Sequence, residues 1–81
     1  MSGKELMEKL LERLPRMVAA AEAPLRQKLQ SVYQSALYSA PELAGSRAKQ
    51  ARLLLEEHIG DPATASDSGK AVAAIWQEPW E

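Results

Sequence analysis

Apolar residues recur at three- and four-residue steps through the first sixty positions of this 81-residue chain, and prolines at 15, 24, 41 and 62 punctuate the pattern. That period is the helical one, so the expected fold class is all-α. Leu6, Met7, Leu10, Leu11, Leu14, Met17, Val18 and Ala21 form the first stripe, opened by Ser2 and Glu5 at capping-box spacing. Pro15 sits inside it, where the missing N–H and the crowded carbonyl of Leu11 predict a kink or a break. The expectation is therefore two short helices, or one bent helix, over about residues 3–22.

Pro24 is placed to begin a second helix, over about residues 24–39, with Leu25, Leu29, Val32, Tyr33, Ala36, Leu37 and Ala40 on one face. Ser39 and Glu42 repeat the capping-box spacing around Pro41, which predicts a restart there. Gly45-Ser46 either interrupts the new helix or weakens it by about 1 kcal/mol. Ala48, Ala51, Leu54 or Leu55, His58 and Ile59 then line one side, until Gly60 and Asp61-Pro62 end the run. Two such helices should fold back on each other. The stretch Asp61 to Gly69 is small, polar and breaker-rich, and reads as a linker. Lys70 to Gln77 fits two turns of helix, with Ser66, Asp67 or Ser68 as N-cap. The predicted organisation is a helical hairpin or small three-helix bundle over 1–60, a linker over 61–69, and a short C-terminal helix or docking arm over 70–81.

The core of such a bundle is thin. Hydrophobic residues make up 46% of the chain, yet 14 of them are alanine, which leaves 23 large apolar side chains and no phenylalanine. Alanine removes little area from water, so either the helices pack economically or a second copy supplies the missing burial, most simply as a homodimer. Without cysteine there is no disulfide framework, thiolate metal site or cysteine nucleophile. No apolar run is long enough to span a membrane, and the charged start MSGKELMEKL is unlike a secretory signal, so the expected compartment is the cytoplasm.

Catalytic chemistry has little to draw on. His58 is the single histidine and lies near a helix C-terminus, where an imidazole complements the helix dipole. His58, Glu57 and Asp61 are too few to build a metal site. Gly69-Lys70 lacks the upstream glycines of a phosphate loop. No catalytic residue, metal or cofactor is expected, and the chain reads as a binding protein rather than an enzyme.

Charge is unevenly spread although the net value is only −1. From Arg13 to Arg52 seven basic residues face two acidic ones, whereas from Glu56 to Glu81 six acids face Lys70 alone. Arg47, Lys49 and Arg52 cluster near the start of the last long helix and are candidate phosphate contacts. The competing reading of that cluster is a solvated helix face balanced by the acidic tail.

Both tryptophans, Trp76 and Trp80, fall in the last six residues, near Ile75. One reading folds this segment back over the small core; the other makes it an aromatic anchor for another protein. In the folded-back reading Trp76 carries the stability and Trp80, beyond Pro79, contributes little. The leading functional expectation is a small interaction module, a regulator, inhibitor or co-chaperone of a partner protein. Its candidate contacts are Trp76, Trp80, Ile75, Leu29 and Tyr33, with Leu25, Val32 and Leu37 beside them. The alternative is a nucleic-acid-associated regulator that uses Arg47, Lys49 and Arg52.

Overall fold

In a computed structural model describing residues 1–81, four helices run α1 (Gly3–Ala20), α2 (Leu25–Leu37), α3 (Ala44–His58) and α4 (Asp67–Trp76). Short 3-10 turns at Pro41–Leu43 and Pro62–Thr64 precede α3 and α4. The fold is all-α: α1 to α3 form a three-helix bundle, and α4 packs along α1. Leu10, Leu14 and Met17 of α1, Leu29 of α2 and Val72 of α4 are the large side chains fully removed from water. Three of these five come from α1, which touches every other helix. Apolar burial is the main driving force for such a bundle, and it is organised around this one helix.

Alanine supplies the economy that the thin core requires. Ala21, Ala36, Ala44 and Ala51 are all fully buried, so helix backbones approach closely where larger residues would hold them apart. The radius of gyration, 11.9 Å, is close to the roughly 12 Å expected of a folded chain this long. An extended terminal arm would have raised it.

Several boundaries are set by side chains that cap backbone. Ser2 Oγ accepts from the Glu5 amide at 3.1 Å and starts α1. Arg26 reaches back from α2 to the Ala21 carbonyl at 2.8 Å and secures the turn between the first two helices. Gly60, with φ of 67°, takes the left-handed conformation that ends α3.

The structure decides between the alternatives at Pro15 and at Gly45-Ser46 and corrects two expectations. α1 runs unbroken through Pro15. The proline lies on the exposed side, so it forfeits one hydrogen bond while Leu10, Leu14 and Met17 anchor the helix around it. The Ser39–Glu42 capping box does not form, because Ser39 Oγ donates to the Ser35 carbonyl at 2.6 Å and accepts from Arg47 Nε at 2.9 Å. Gly45-Ser46 stays inside α3. Finally, the stretch 61–69 is built rather than slack: Asp61 Oδ1 accepts from Ala63 N at 3.0 Å, and Ser66 Oγ accepts from Gly69 N at 3.2 Å. Ser66 thereby starts α4 three residues ahead of Lys70, giving a helix of 10 residues.

Gly3 lies against the backbone of the turn before α3. A Cβ there would stand 2.7 Å from the Pro41 carbonyl oxygen, whereas one on Gly45 would meet nothing within 4 Å. Gly3→Ala should therefore destabilise the fold by about 1–2 kcal/mol through overpacking. Gly45→Ala should stabilise it by about 0.5–1 kcal/mol through helix propensity. Paired thermal melts check the opposite signs; two stabilised variants would refute the close approach.

Candidate functional site

The C-terminal segment is tied to α1 through a buried arginine. Arg13 falls within the apolar stripe, one residue before Leu14, and only 3% of it is exposed. It has no carboxylate partner; backbone oxygens at the end of α4 receive it instead. Nε donates to the Ile75 carbonyl at 3.2 Å, and Nη2 donates to the Glu78 and Pro79 carbonyls at 2.7 Å each. Those carbonyls form the negative end of a helix and its trailing turn, where a cation is favoured. The guanidinium also lies 3.8 Å from the ring centroid of Trp80. Its charge is thus met by three dipoles and a π face.

Around this centre the tail closes in layers. Trp80 Nε1 donates to the Trp76 carbonyl at 3.0 Å. The two indoles meet edge to face, with centroids 4.9 Å apart and an interplanar angle of 74°. Outside them, Arg16 grips the Glu78 carboxylate with both terminal nitrogens, at 2.9 and 2.5 Å, and also holds Glu12 at 2.6 Å. Those hydrogen bonds hold the Glu78 carboxyl below its ordinary range and raise the Arg16 guanidinium above its own. Ile75, Trp76 and Trp80 are half-buried and pack against the core.

The tail therefore folds back, and Trp80 packs on Arg13 and Trp76 rather than projecting beyond Pro79. These contacts argue against the expectation that Trp80 contributes little. The sequence carried a signal for Arg13, namely a charge at the core-facing register between Leu10 and Met17. Such a position requires buried acceptors.

The remaining candidates do not converge. Leu29 is fully buried in the core, and Tyr33 is half-buried against it. Arg47 is engaged with Ser39 and with Gln50 Oε1 at 3.3 Å. Lys49 is exposed, and Arg52 lies 3.9 Å from Glu56. At about 100° per residue, Arg47 points well away from the direction shared by Lys49 and Arg52, so the three do not form one basic patch. His58 Nε2 is 3.2 Å from Lys28 Nζ, and since an ammonium can only donate, the ring nitrogen accepts. A recess of about 130 Å³ is lined by Glu22, His58, Ser66 and Ser68 among others. Its hydroxyls bond each other at 3.2 Å, and His58 is turned to Lys28, so no base is paired with a nucleophile. No three His, Asp or Glu side chains are grouped to hold a metal ion, and no helix is long and apolar enough to cross a membrane.

Besides Met1, the exposed large apolar side chains are Leu37, Tyr38 and Leu43, around the turn between α2 and α3, and Leu53 on α3; Leu37 is therefore not part of the buried face of α2. Between α2 and α3 a shallow groove is lined by Lys28, Ser31, Val32, Gln50, Leu53 and Leu54. Leu53 is 48% exposed. Helical periodicity alone did not single out Leu53, because three consecutive leucines hide which one faces outward. No family model, curated protein or solved structure gives a significant match to this chain.

Two outcomes test the clasp. Arg13→Ala should cost about 3 kcal/mol and Trp80→Ala about 1–2 kcal/mol, each visible as a melting temperature lowered by several degrees. A Trp80→Ala variant melting like wild type would refute the assigned role. The second outcome concerns pH. Because Glu78 titrates lower in the folded chain, its stabilisation is present above the ordinary glutamate value of about 4.3 and fades as pH falls through the lowered one. Wild type should melt above Glu78→Gln at pH 7, and the difference should close in acid. A gap that persists at pH 2 would contradict the pairing.

Proposed function

We propose that this chain is a small non-enzymatic interaction module, a cytoplasmic regulator, inhibitor or co-chaperone, whose partner protein lies along the α2–α3 face. The carrying observation is Leu53, half exposed in a groove whose apolar lining is completed by Leu54 and the edge of buried Val32. The C-terminal apolar segment is already occupied with α1, and the exposed Leu37, Tyr38 and Leu43 lie around the α2–α3 turn, where no groove forms. An apolar ridge and groove on a helix pair is the geometry that accepts another helix. The dispersal of Arg47, Lys49 and Arg52 weighs against the nucleic-acid alternative, which needs them to meet one backbone.

A photo-crosslinking residue in place of Leu53 tests this reading in the native host. It should yield one discrete polypeptide adduct that excess unlabelled protein competes away. The same residue in place of Lys70, exposed on α4, should yield none. No adduct from position 53, or equal adducts from both positions, would overturn the proposal.

A further inference from the structure

The outward face of α3 is built like one half of a symmetric pair. Lys49, Leu53 and Glu57 recur every four residues, and at about 100° per residue each lies roughly 40° from the next, so the three share a stripe about 80° wide. All three are exposed. The basic residue lies toward the helix N-terminus, the acidic one toward the C-terminus, and the large apolar one midway. Gln50 and Glu56 flank Leu53 at three residues on either side.

A charge pattern that reverses sign about its midpoint is complementary to itself under a two-fold axis. If two α3 helices cross antiparallel at Leu53, Lys49 of each copy faces Glu57 of the other, and Gln50 faces Glu56. Parallel packing would set Lys49 on Lys49 and Glu57 on Glu57, which is repulsive. Within its own chain Lys49 makes no ion pair, and Glu57 reaches only Lys28, at 4.0 Å. Lys49 is therefore free to be shared, and Glu57 is held only by the long contact to Lys28.

The apolar part fits the same axis. Leu53 lines one side of the α2–α3 groove and is half exposed there. The same leucine of a second copy, arriving across the two-fold, can enter between Val32 and Leu54. The operation is reciprocal, so both ridges and both grooves are used, as an isologous interface requires. We infer that the α2–α3 face pairs with a second copy of this chain through antiparallel α3 helices centred on Leu53. This rests on the reading of that face as the contact surface, and it names the occupant.

The pairing is weak by construction. The whole chain exposes 4825 Å², and one helix pair covers less than the roughly 1,600 Å² of a standard stable interface. Association weaker than that of a standard-size interface is expected. Such a dimer covers the face at high concentration and frees it for another protein at low concentration.

Sedimentation equilibrium from about 10 µM to 1 mM tests the inference, with circular dichroism verifying that each variant is folded. Wild type should dimerise reversibly. Lys49→Glu and Glu57→Lys should each weaken association about tenfold, since symmetry breaks both pairs at once. The double variant should recover it. An equimolar mixture of the two single variants should also recover it, because each supplies the charge the other needs. A strictly monomeric wild type, single variants that associate like wild type, or a mixture without recovery would overturn the inference. A monomeric wild type whose position-53 crosslink identifies a different protein would refute self-pairing alone. A missing crosslink would refute the contact face itself.

Discussion

A guanidinium buried without a carboxylate is the constraint around which this small protein closes. Removing a charge from water is costly, and the cost is tolerable only when dipoles replace the lost hydration. The last turn of α4 and the turn after it offer those dipoles, because helix-end carbonyls have no amide of their own helix to receive. Each side answers the other's deficit: Arg13 needs acceptors, and the end of α4 needs donors. Their union holds α4 along α1 and seals Val72 into the core. It also gives the two indoles a cation and each other to pack on. With so few large apolar side chains, the bundle depends on that fourth wall.

The same scarcity accounts for how the helices meet. Alanines at the contacts and Gly3 against the Pro41 carbonyl bring backbones close, so modest side chains leave little empty space. Close packing by small residues leaves larger ones on the outside, and Leu53 is among them. The thin core and the open groove thus have a common origin.

Most of the buried face of α2, the cap at Ser2 and the stop at Gly60 were legible because they rest on local spacing, although Leu37 turned outward and the α4 cap was narrowed only to Ser66, Asp67 or Ser68. Contacts between distant residues were not. Ser39 carried the right spacing for a cap, but Arg47, eight residues on, claims its hydroxyl. Pro15 looked like a break because its cost is local, while the burial that outweighs it comes from the other helices. The stretch 61–69 looked slack by composition, although its aspartate and serine bond their own backbone. Trp80 lay beyond a proline and seemed outside the fold; its partner is 67 positions earlier in the sequence. For the candidate site, the sequence pointed to the tail, and the α2–α3 groove emerged only once that tail was accounted for.

Every acceptor that Arg13 finds at the end of α4 is a main-chain oxygen, not a side chain. The hydrogen-bonding half of this contact is therefore written on one side only, while the Trp80 ring supplies the other half. For those three bonds alone, any residues at 75, 78 and 79 that keep the backbone path present the same carbonyls, whereas the arginine has no equivalent among the other amino acids. Drift among related sequences would therefore be constrained at the arginine directly and at its three acceptors only through the path of the chain. Covariation, which detects pairs that change together, would pass over these three bonds.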